Sequence, residues 1–89
     1  MIRSKNYIKR NIGTQTVIVA VGEAAKHFHG MISVNNTGSF IWDLLEKEIT
    51  LDALVAAMTA VYNIDSSTAK ADINDFLINL KEVGAVEGI

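Results

Sequence analysis

Between Met31 and Leu45 a strand signal runs straight into a helix signal, and that junction limits what this chain can fold into. Met31-Ile32-Ser33-Val34 is a short apolar run with β-branched residues, the pattern of a strand. Asn35-Asn36-Thr37-Gly38 interrupts it. Phe40, Ile41, Leu44 and Leu45 then fall on one side of a helix, and Trp42, the only tryptophan, lies among them. Everything before the junction reads as β and everything after it as α.

Upstream, Tyr7, Ile8 and Ile12 predict a first strand, and Asn11 to Thr14 a glycine-containing turn. Thr16-Val17-Ile18-Val19-Ala20-Val21 is the densest β-branched run and completes a hairpin, which Gly22 ends. Residues 1–5 are polar and basic and are expected to fray. Residues 22–30 read either as a loop or as the start of a further strand.

Downstream, three helices are expected. The first spans about Thr37 to Lys47, with Asn36 or Thr37 as its N-cap. Thr50 caps the second, and Asp52 in its first turn suits the positive end of the helix dipole. Leu51, Leu54, Val55, Met58, Val61 and Tyr62 form its apolar stripe. The third runs from about Ser66 to Val83, with Gly84 at the C′ position. Its core stripe is Ala69, Ile73, Phe76, Leu77, Leu80 and Val83. Ala85 and Val86 form a last short extended piece. Strands followed by helices, in a chain of 89 residues, predict one α+β domain spanning residues 1–89. The layout suits a winged-helix-like arrangement, a three-stranded antiparallel sheet beside three helices.

Several functions are disfavoured by composition. With no cysteine, disulfides, a thiol nucleophile and thiolate metal sites are excluded together, which fits a cytosolic protein. No apolar run approaches the ~20 residues that span a bilayer, so no membrane role is expected. No apolar h-region follows Arg3, Lys5, Lys9 and Arg10, which argues against a signal peptide. His27 and His29 share a face if their segment is extended, with Glu23 the only nearby acid. Zinc usually takes three or four protein ligands, so two solvated histidines are the expected reading and no metal is assigned. No serine has a histidine and acid constellation, and the glycines are too isolated for a phosphate loop. Asp72 and Asp75, three apart on the third helix, read as a solvated acidic face. Neither catalysis nor a cofactor is expected.

Charge argues against nucleic acid. Residues 1–30 carry five basic side chains against Glu23, but residues 31–89 carry three against nine acids. Helices this acidic repel a phosphate backbone. A winged-helix DNA-binding regulator therefore stands as an alternative only. An interaction module remains. The short strand Met31–Val34, placed at a sheet edge, offers unpaired backbone groups to an added strand. Such an edge also pairs with its own copy in a homodimer. Ile78 lies off the core stripe, either as an exposed flank residue or as the wall of a peptide groove.

The pattern Val34-Asn35-x-Thr37-Gly38-x-x-Ile41-Trp42-x-Leu44-Leu45, then Thr50-Leu51-x-x-Leu54-Val55, then Asp72-Ile73-x-x-Phe76-Leu77-x-x-Leu80-x-x-x-Gly84-Ala85-Val86 resembles the PqqD-like family. These are coenzyme PQQ synthesis protein D and the related recognition elements of ribosomally made, modified peptides. The resemblance covers about Tyr7 to Val86, and Ala85-Val86 stands where the family often has two larger apolar residues. It implies a non-catalytic protein that binds the leader of a precursor peptide and presents it to a modifying enzyme, often of the radical SAM type. It further implies a leader lying as an added strand along Met31, Ile32, Ser33 and Val34, against the third helix. The helix positions expected to face it are Lys70, Ile73, Asn74, Leu77 and Ile78, with Ile73 and Leu77 equally readable as core. Asn35, Gly38, Ile41 and Trp42 read as structural.

Overall fold

The computed structural model describes residues 1–28 and 30–89. A three-stranded antiparallel sheet has the order β2-β3-β4, formed by Tyr7–Ile12, Gln15–Ala20 and Met31–Val34. Three helices follow: α1 (Asn36–Leu44), α2 (Leu51–Val61) and α3 (Ser66–Glu82). The expected α+β architecture is therefore present. A second, two-stranded sheet joins β1 (Ile2–Arg3) to β5 (Val86–Glu87), with Ile2 opposite Glu87 and Arg3 opposite Val86.

That second sheet corrects the expectation of a frayed N-terminus. The Arg3 N–H donates to the Leu45 carbonyl at 2.9 Å, and the Ser4 N–H to the Ala85 carbonyl at 2.8 Å. The Arg3 guanidinium lies 5.4 Å from the Trp42 ring centroid and donates to the Trp42 carbonyl at 3.0 Å. These long-range partners satisfy backbone groups that a local reading leaves to water. The segment after β3 is neither loop nor strand at first: Gly22–Lys26 forms a short 3₁₀ helix.

The hairpin turn between β2 and β3 is two residues long, with Gly13 at φ 64° and Thr14 after it. A positive φ at the first turn position alone is the type II′ geometry, which matches the twist of the flanking strands. Ile12 and Gln15 are the closing pair.

The cap of α1 differs from the sequence reading. Asn35, rather than Asn36 or Thr37, caps α1: its Oδ1 accepts from the Gly38 N–H at 2.8 Å and from the Thr37 hydroxyl at 2.9 Å. Asp65 caps α3, accepting from the Thr68 N–H at 2.7 Å, and that bond holds its carboxyl below the usual range. Thr50 caps α2 as expected. At the far end of α3, Gly84 donates to the Lys81 carbonyl and Ala85 to the Leu80 carbonyl, the paired bonds of a Schellman motif.

Trp42 and Ile41 from α1 and Leu45 at its C-cap meet Leu54 and Met58 from α2, Ala69, Ile73 and Leu80 from α3, and Ile18 from the sheet. Phe40 and Tyr62 meet edge to face at 5.5 Å on the flank. The stripe of α2 is only partly used: Leu54 and Met58 are buried, whereas Val61 is exposed. Tyr7 is buried beside the end of α3, where its hydroxyl donates to the Val83 carbonyl.

Candidate functional site

The open edge of β4 follows from the hairpin turn. In an antiparallel ladder, residues alternate between pairs that exchange hydrogen bonds and pairs whose N–H and C=O point away. Ile12 and Gln15 close a two-residue loop, so they exchange both bonds, and Arg10–Val17 and Ile8–Val19 do likewise. Thr16 and Ile18 therefore turn their backbone groups toward β4. Their partners there are Val34 and Ile32. Ser33 and Met31, opposite Val17 and Val19, are left with N–H and C=O directed outward. Among the described residues β3 alone pairs with β4, so this edge is available to another strand.

Side chains of β4 alternate across the sheet. Ile32 and Val34 are partly buried against the core, whereas Met31 and Ser33 are exposed. The Ser33 hydroxyl accepts from Gln15 Nε2 at 2.7 Å on the outer face.

A cleft of about 300 Å³ opens between this edge and α3. Ser33, Val34 and Asn35 form its strand side, and Gly38 and Ile41 lie beneath. Asp72, Asp75, Phe76 and Asn79 form its helix side. Gly38 is there because the elements approach closely. A Cβ on it would stand 3.3 Å from Asn35 Oδ1, 3.4 Å from Phe76 and 3.4 Å from the Val34 Cβ. The absence of a side chain at residue 38 thus lets α1, β4 and α3 converge under the cleft.

The four strand positions expected from the sequence lie along this edge. The five helix positions are divided. Ile73 and Leu77, at 0% and 6% exposure, belong to the core and offer almost no surface to a partner. Asn74 lines a different depression, with Met1, Ile49, Leu51 and Ile89. Lys70 and Ile78 are exposed, Ile78 at 56%, but neither lines the cleft. The flank of α3 beside β4 is Asp72, Asp75, Phe76 and Asn79. Phe76, read as core, is half-buried and forms a cleft wall. A signal for this flank was present, since residues 72, 75, 76 and 79 follow helical spacing beside the core stripe. The 70–74–78 flank has the same spacing, and only packing distinguishes the two.

Other candidate chemistry does not assemble. Glu23 pairs with Lys26 at 3.2 Å rather than completing a site with His27. His29 lies outside the described residues. Among the described residues no group of three potential metal ligands comes together. The basic N-terminal half is partly engaged within the fold: Lys9 bonds Asp43 at 2.7 Å and Ser39 at 2.8 Å, and Arg3 is held on Trp42. No described helix is long and apolar enough to cross a membrane.

The fold and the site together define a small α+β module with a free strand edge facing a helix across a cleft. The chain belongs to the family of coenzyme PQQ synthesis protein D (PqqD), whose model matches residues 15–86. The matched span begins at β3 and takes in the cleft, leaving β1 and β2 outside it. Among solved structures, TbiB1 in complex with the TbiA(beta) leader peptide is similar over 100% of this chain and 98% of that one, with a TM-score of 0.79 and 27% identity. No curated protein matches the chain.

Proposed function

We infer that this chain is a leader-peptide-binding accessory protein, one that captures a precursor peptide and presents it to a modifying enzyme. The observation that carries this reading is the outward N–H and C=O of Met31 and Ser33 beside a cleft walled by α3. Backbone pairing at such an edge gives affinity with little demand on sequence, while the cleft selects side chains. Membership of the PqqD family and likeness to a protein solved with a leader peptide support it. The role is binding rather than catalysis, in the cytoplasm, with a radical SAM or other peptide-modifying enzyme as the second partner.

Within the site, Met31, Ile32, Ser33 and Val34 are the pairing strand, with Phe76, Asp72, Asp75 and Asn79 facing them. Amide hydrogen exchange tests this. The ligand is a synthetic leader segment of a precursor peptide. Its addition is expected to slow exchange at Met31 and Ser33, with little change at Ile32 and Val34, already bonded to β3. Protection confined to another surface would refute the assignment of the site.

A further inference from the structure

Resting on the peptide-binding reading, we propose that the β4–α3 cleft selects a peptide strand with a lysine or arginine two positions from an apolar residue. The apolar residue sits on Val34 and Phe76, and the cation between Asp72 and Asp75.

The charge of the cleft is one-sided. No charged residue occurs from Met31 through Trp42, so the strand and α1 sides are neutral. Asp72 and Asp75 are the charged residues lining the cleft. They stand three apart on α3, close enough to repel each other. Neither has a lysine or arginine three or four residues away on the helix. The ion pairs among the described residues engage the carboxylates of Glu23, Asp43 and Glu48 instead. Lys70 and Lys81 do not line the cleft. Two neighbouring carboxylates with no internal cation, at the wall of a strand-accepting edge, are complementary to a positive guest.

Spacing sets the pattern. Residues two apart on a strand point the same way and lie about 6.8 Å apart. Phe76 and Asp72 are one turn apart on α3, about 6 Å along its axis. For a guest strand running along α3, a side chain on the Phe76 wall therefore has one same-face neighbour at the level of the carboxylates and the other toward Asn79. A second copy of this chain fits less well, because its own β4 segment brings no cation.

Fluorescein-labelled nonapeptides on a Thr/Val/Ser background, with a central leucine and lysine, glutamine or glutamate two positions away on either side, serve as probes. Fluorescence anisotropy is read with the intact chain, with the Asp72→Lys, Asp75→Lys double variant and with Ser33→Pro. Both aspartates are exposed, so their exchange leaves the core intact. The lysine peptides are expected to bind about fivefold tighter than the glutamate ones, the scale of exposed ion pairs. That preference narrows at high salt and inverts in the double-lysine variant, while Ser33→Pro weakens all peptides alike. Equal binding of the three series, or preference for glutamate, with Ser33→Pro still weakening them all, would overturn the charge selection and leave the peptide-binding reading standing. No binding of any series to the unmodified chain would overturn both. A dimer in sedimentation that Ser33→Pro abolishes would give the edge to a second copy and overturn the assignment.

Discussion

Proline at two adjacent positions of β4 tests the polarity of the sheet edge. In Ile32→Pro the lost N–H is one that bonds β3, so the Ile18 carbonyl loses its donor. Leaving such a group unpaired costs about 1–3 kcal/mol. Losing the isoleucine from its partly buried place adds about 1–2 kcal/mol. A chain of this length is stable by about 4–13 kcal/mol, so the sum of about 2–5 kcal/mol threatens the fold. The melting temperature is expected to fall by at least ~10 °C. In Ser33→Pro the lost N–H points to solvent, a position where sheets tolerate proline. Only the exposed bond from Gln15 to the Ser33 hydroxyl is lost within the chain. Its removal costs about 0.5–1 kcal/mol, so melting shifts by about 2–8 °C. Leader binding suffers the reverse order. Ser33→Pro removes a donor from the pairing edge and sets a ring against the guest backbone, which is expected to raise Kd about tenfold or more. Thermal denaturation by circular dichroism and calorimetric titration with the leader measure both quantities. Equal destabilisation by the two prolines would refute the alternation derived from the Ile12–Gln15 turn. A folded Ser33→Pro variant with unchanged affinity would refute strand addition at that residue.

Further outcomes follow from the caps and the buried tyrosine. Asn35→Ala removes the acceptor for the Gly38 N–H and is expected to cost about 1 kcal/mol, measurable as a lower urea midpoint, whereas Asn35→Asp keeps the cap and most of the stability. Tyr7→Phe removes the bond to the Val83 carbonyl at a cost of about 1 kcal/mol. Burial raises the Tyr7 phenol above its ordinary value of 10.0, so the folded chain holds this proton more tightly than the unfolded one. The corresponding stability is present below pH ~10 and is lost as pH rises through the raised folded value. Denaturant titrations across that window are expected to fall less steeply for Tyr7→Phe than for the unmodified chain, and identical slopes would contradict the assignment.

Local rules carry much of this fold. Thr50 and Gly84 announce a helix start and a helix end because capping is settled within a few residues. The β-branched run from Thr16 to Val21 and the Met31–Val34 run announce strands for the same reason. Boundaries slip where neighbouring residues compete for one role: Asn35 outcompetes Asn36 and Thr37 as cap because its Oδ1 reaches both Gly38 and the Thr37 hydroxyl. The site is less legible. α3 has two exposed flanks of helical spacing, one through Lys70, Asn74 and Ile78 and one through Asp72, Asp75 and Asn79. Ile78 is apolar, exposed and off the core stripe, yet it does not line the cleft. Phe76 was hidden among core residues because a half-buried wall and a buried core have the same periodicity.

By itself, the sequence determined the β2-β3 hairpin, the three helices after the sheet, the Thr50 cap and the Gly84 stop, and the junction at which β4 runs into α1. Through the resemblance carried by that junction and by α3, it also determined the family. The tertiary structure decided which side of α3 meets β4, that Ile2–Arg3 pairs with Val86–Glu87, and which backbone groups of β4 stay free. Those choices depend on partners distant in the chain. The free N–H of Ser33 is inherited from a turn twenty residues earlier, through two strand registers that exist only once the sheet has formed.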